Sequence, residues 1–145
     1  MSRTQLTRAV LDAQLAALGR PPYAGPDDPA ALRRGCLDAV LAAREAGTEP
    51  QGAVLKGAVR HLLDRLVAIA PGRSVEVRIP PYAAAQCVEG PRHTRGTPPN
   101  VVEMGAATWI GLATGAVSWA DAVENGEVRA SGARADLREY LPLHS

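Results

Sequence analysis

At Gly72 the apolar residues of this chain change their spacing, and that change constrains the fold more than any other feature. Upstream they recur every three or four residues, the period of a helix with one buried face. Downstream, Val75, Val77 and Ile79 alternate with Ser74, Glu76 and Arg78, the period of a strand with one face buried and one wet. Strands grouped with helices, rather than strictly alternating with them, argue for an α+β fold whose sheet is antiparallel or mixed and covered on one face.

The helical half divides into three. Leu6, Val10, Leu11, Leu15 and Leu18 share one broad face, with Arg8 and Asp12 opposite, and Gly19 stops the first helix. The stretch "RPPYAGPDDP" carries four prolines in ten residues and reads as a loop. Asp28 caps a second helix that has Pro29 at its first position and Leu32, Cys36, Leu37, Val40 and Leu41 as its stripe. Thr48 and Gln51 stand at capping-box spacing before a third helix. Its stripe runs Val54, Leu55, Ala58, Val59, Leu62, Leu63, Leu66 and Val67.

Beyond Gly72, "SVEVRIP" and "AAAQCVEG" read as an antiparallel pair of strands, the second with small side chains that let something pack closely over it. A short strand at 101–103 follows. "AATWIGLATG" reads as a helix with Trp109, Ile110, Leu112 and Ala113 inward. "SWADAVENG" is a short helix capped by Ser118, "EVRAS" a strand with Val128 and Ala130 inward, and "ADLREYL" a closing helix with Leu137, Tyr140 and Leu141 on one face. Residues 1–50 thus read as an N-terminal helical extension packed on a main domain of residues 51–145.

Composition excludes several functions. Sixteen Lys and Arg stand against fifteen Asp and Glu, a net charge of +1. That leaves no basic excess to neutralise a phosphate backbone, so no nucleic-acid partner is expected. There is no Phe, so any internal cavity is expected to be lined mostly by aliphatics. Cys36 and Cys87 make neither a disulfide framework nor a metal site and read as buried thiols in a reducing compartment. The three histidines, His61, His93 and His144, stand far apart, so no metal and no cofactor is expected. No apolar run reaches membrane-spanning length and no signal-peptide core opens the chain, so the sequence reads as cytoplasmic, without stable membrane insertion. Nucleotide-binding, α/β-hydrolase and zinc-protease motifs are all missing.

The segment "CVEGPRHTRGTPPNVVE" concentrates the remaining chemistry. Arg92 and Arg95 flank His93, and two fork-shaped guanidiniums can hold a carboxylate or phosphate. Gly90 and Gly96 let backbone N–H groups approach a ligand. The alternative is a loop stiffened by Pro91, Pro98 and Pro99, whose arginines pair with Glu89 and Glu103.

"GAVSWADAVENGEVRASG" has Gly115, Val117, Ser118, Ala122, Gly126, Val128, Ala130 and Gly132 spaced as in sterol carrier protein domains. "PGRSVEVRIPPYAAAQCVEGPRHTRGTPPNVVE" resembles the bacterial branch of that family, and the likeness covers about residues 58–143. It implies a sheet of about five strands with helices on one face. Between sheet and helices it implies an apolar tunnel for a fatty acyl chain, an acyl-CoA or a sterol-like molecule. Carried onto this sequence, the tunnel walls would be Val75, Val77, Ile79, Trp109, Leu112, Val128, Leu137 and Leu141, with Arg92, His93 and Arg95 as the site for an acidic head group. A related fold closes the mycothiol-dependent maleylpyruvate isomerases behind a metal-binding helical bundle. The helices here contain only His61, and no catalytic activity is expected. The alternative to a carrier is a protein-interaction module on the same fold, its pocket filled by its own side chains.

Overall fold

The structure is a computed structural model and describes residues 5–90 and 100–143. The chain forms two compact units, Met1–His61 and Leu62–Ser145.

The first unit holds α1 (Arg8–Ala17), α2 (Pro29–Glu45) and the start of α3 (Gly52–Ile69). Asp28 caps α2 as its side chain accepts from the Ala31 N–H at 2.9 Å, with Pro29 in the first turn. The capping box expected of Thr48 and Gln51 does not form. The Thr48 hydroxyl donates to the Ala43 carbonyl, and the Gln51 N–H, at the start of α3, donates to Gln14 Oε1 at 2.6 Å. Gln14 lies on α1 and is buried. The Pro-rich stretch is tied down by the polar face of α1. Arg8 donates to the Tyr23 and Gly25 carbonyls and stacks its guanidinium over the Tyr23 ring, while Asp12 accepts from the Tyr23 N–H.

The second unit is the end of α3 followed by β1 (Val75–Ile79), β2 (Ala83–Cys87), β3 (Asn100–Met104), α4 (Ala106–Thr114), α5 (Trp119–Glu124) and β4 (Val128–Ser131). The sheet order is β2-β1-β3-β4. β1 runs antiparallel to β2 and parallel to β3, and β4 runs antiparallel to β3, so the sheet is mixed. Among the described residues it has four strands, where about five were expected; the four are those read from the residues themselves.

Two readings near the C-terminus are corrected. "ADLREYL" forms a single 3-10 turn at Arg138–Tyr140, because Leu141 precedes Pro142 and is held extended, which ends helical geometry at once. Ala130 pairs with Val102 and so lies on the inward side by register, yet it is exposed. β4 is an edge strand of which only Val128 is buried.

Candidate functional site

The sheet register decides which side chains share a face. Val77 pairs with Ala85 on one side and Val102 on the other, and Val128 pairs with Met104. The inward face therefore carries Val75, Val77 and Ile79 from β1, Ala83, Ala85 and Cys87 from β2, and Val102, Met104 and Val128 beside them. Every inward position is apolar except Asn100. The opposite face carries Glu76, Arg78, Gln86, Glu103 and Arg129, with Arg78 paired to Glu76 and Arg129 3.8 Å from Glu103. Glu103, expected as a partner for the loop arginines, thus faces Arg129.

Seven of the eight proposed wall residues are buried. Val75, Val77, Ile79, Trp109 and Leu137 expose 0% of their surface, Leu112 1% and Val128 6%, while Leu141 is half-buried. Zero accessible surface means that no water-sized space touches these side chains, from solvent or from an internal void. Trp109 and Leu112 come from α4, whose Gly115 ends the helix in the left-handed conformation at φ 87°. The C-terminal segment is fastened to the same helix, with the Leu143 N–H donating to the Ala113 carbonyl at 2.9 Å.

Arg92, His93 and Arg95 lie outside the described residues, and β2 and β3 anchor the stretch that carries them. Cys87 and Asn100 both pair with Val75, from opposite sides, so the loop leaves and rejoins the sheet at the same end of β1. A polar knot holds this base. Ser74 donates both its N–H and its hydroxyl to the Val88 carbonyl, at 3.0 and 2.8 Å, and the Val88 N–H donates to the Ala70 carbonyl. Asn100 donates Nδ2 to the Ser74 carbonyl at 2.7 Å and accepts the Arg134 N–H on Oδ1 at 2.8 Å. Val88 is held at φ 66°, an uncommon conformation for a β-branched residue. Gly72 fits beneath it because a Cβ there would stand 2.1 Å from the Val88 oxygen.

Sequence reasoning missed Ser74 and Asn100 as the organisers of this base. The available signal was that Asn100, Val102 and Met104 continue one alternating face, which places Asn100 in the strand. Both cysteines are buried thiols. Burial pushes Cys36 up to about 12, partly offset by the nearby Arg33 charge, and Cys87 up to about 11. Among the described residues, no three His, Cys, Asp or Glu side chains converge as metal ligands. Among them, too, no helix is long and apolar enough to cross a membrane.

A family model described as a bacterial SCP ortholog matches residues 51–143. No curated protein matches the chain.

Proposed function

The chain belongs to the family of bacterial sterol carrier protein (SCP) orthologues, and from that premise we propose that it is a non-enzymatic carrier of an apolar chain, held between sheet and helices. The observation that supports this reading is the inward face of the sheet, apolar at every position except Asn100, whose side chain is already engaged on both atoms. A guest on that face meets apolar side chains at every other position. A fatty acyl chain, the acyl part of an acyl-CoA and a sterol-like skeleton all satisfy this condition.

Because most of the wall residues are buried, a guest has to displace the side chains that cover them. Each buried methylene contributes about 0.8 kcal/mol, and micromolar affinity needs about 8 kcal/mol. Some ten methylenes therefore supply micromolar binding, less whatever separating the walls costs. The ends of the inward face give way most easily: Ala83 and Ala85 are half-buried and Leu141 is incompletely covered. We extend the proposal to Arg92, His93 and Arg95 as the group that meets an acidic head, with His93 adjusting its charge near neutral pH.

The test is native mass spectrometry of the purified protein for co-purifying lipid, followed by titration with fatty acids of ten to sixteen carbons. Affinity rises about fourfold per added methylene, and tryptophan emission changes on saturation, since Trp109 is enclosed. Exchanging Arg92 and Arg95 together for Ala removes the preference for a free acid over its methyl ester. No co-purifying lipid and no binding at millimolar fatty acid overturn the carrier reading. Those outcomes leave the second reading, which the closed packing of the wall residues favours: an interaction module whose interior is its own core and whose surface meets a protein.

A further inference from the structure

The first unit carries a groove that the carrier reading does not use. Its cavity is about 610 Å³, within the usual range of small-molecule sites. Leu6 from the segment before α1, Leu32 from α2 and Ala53 from α3 give it an apolar floor. Arg33, Lys56 and Arg60 stand around that floor as cations, and among the described residues Asp27 is the one acidic residue lining it.

The local sequence explains the arrangement. Ala53, Lys56, Gly57 and Arg60 stand at positions i, i+3, i+4 and i+7, so they share one face of α3. Gly57 lets α3 come close to α2, because a Cβ there would stand 2.7 Å from the Cys36 sulfur. Lys56 and Arg60 are exposed, and neither makes an ion pair with a described residue. Like charges four residues apart on a helix repel unless an anion lies against both. Arg33, on α2 across the groove, adds a third positive charge.

We propose that this groove binds a small amphiphilic anion, its head against Lys56 and Arg60 and its apolar part on Leu6, Leu32 and Ala53. A carboxylate or a phosphate monoester satisfies the same chemistry. The inference stands apart from the carrier reading, because every residue in it lies at or before Arg60, outside the sheet.

Octyl phosphate and decanoate are the probes, titrated into the full chain and followed by amide chemical shifts. The expected shifts fall on residues 27–33 and 53–60 rather than on the sheet or α4, and binding weakens as salt is raised. Lys56→Ala and Arg60→Ala each weaken binding about tenfold, and the paired charge reversal Lys56→Glu, Arg60→Glu abolishes it. Both side chains are exposed, so the variants keep the fold. Tighter octyl phosphate than decanoate assigns the head as phosphate, and the reverse assigns it as carboxylate. The proposal is overturned if methyl decanoate binds as tightly as decanoate, if inorganic phosphate binds as tightly as octyl phosphate, or if the charge reversal leaves the affinity unchanged. Shifts confined to the sheet and α4 overturn it too, while leaving the carrier reading in place.

Discussion

The Asn100 side-chain amide donates to the backbone carbonyl of Ser74 at 2.7 Å, and both residues are buried. Asn100→Ala strands that carbonyl and the Arg134 N–H without partners. The expected loss is about 2–6 kcal/mol, since each of the two stranded groups costs about 1–3 kcal/mol. Asn100→Asp keeps the acceptor for Arg134 but sets a carboxylate against a carbonyl. Only its protonated form can donate to Ser74, so its folded pKa rises above the unfolded value. The deficit is then largest at neutral and alkaline pH and shrinks as pH falls through the folded pKa. Thermal melts of both variants between pH 4 and 8 check this; equal pH profiles for Ala and Asp contradict it.

Val77→Asp places a carboxylate at the centre of the sheet, between Ala85 and Val102, where Val77 exposes no surface. An unpaired buried carboxylate costs several kcal/mol, comparable to the whole stability of a domain. The expected result is loss of a cooperative melting transition. A melting temperature within a few degrees of the parent would contradict the register.

The loop base combines a strained residue with a tight contact. Val88→Asn is expected to stabilise by about 0.5–1 kcal/mol, because Asn adopts positive φ at lower cost. Gly72→Ala is expected to destabilise by about 2–4 kcal/mol, since its φ of 147° and the 2.1 Å approach to the Val88 oxygen both exclude a side chain. Urea denaturation of the two variants measures the contrast; a Gly72→Ala protein as stable as the parent contradicts it.

Cys36 and Cys87 are expected to resist a thiol reagent at pH 8 in the native protein and to react fully once it is unfolded. Burial pushes the folded thiols from the ordinary 9.0 up to about 12 for Cys36 and about 11 for Cys87. The neutral thiols therefore support folding fully below about pH 9, and this contribution is lost as pH rises through 11 and 12. Cys36→Ala should show a shallower alkaline loss of stability than the parent. Stoichiometric labelling of either native thiol within minutes would contradict the burial.

Local signals in the sequence were dependable where the partner is near in the chain. Asp28 capping Ala31, Ser118 capping Asp121 and the alternation of Val75, Val77 and Ile79 are all decided within a few residues. The residues that were not legible have distant partners. Gln14 meets Gln51 across 37 positions and Asn100 meets the Arg134 backbone across 34. Nothing local distinguishes such a buried amide from a solvated one. Capping-box spacing misled at Thr48 because Gln14 supplies the acceptor from another helix. On the site itself, the apolar alternation told which strand residues turn inward, but not that those of β1 are fully covered while Ala83 and Ala85 are only half-buried.

The pairing of Cys87 and Asn100 with the same residue, Val75, has a consequence for how the chain tolerates change. Two strand spacings, roughly 10 Å, separate the loop's ends, while the twelve residues from 88 to 99 could reach about 40 Å if stretched. The connection has far more chain than its gap requires, so its length is not set by the sheet. Doubling it would cost only about 0.6 kcal/mol in closure entropy. Engineered versions can therefore lengthen, shorten or replace residues 91–99 while the knot of Ser74, Val88 and Asn100 keeps the register unchanged, and the position is a natural graft point for foreign peptide.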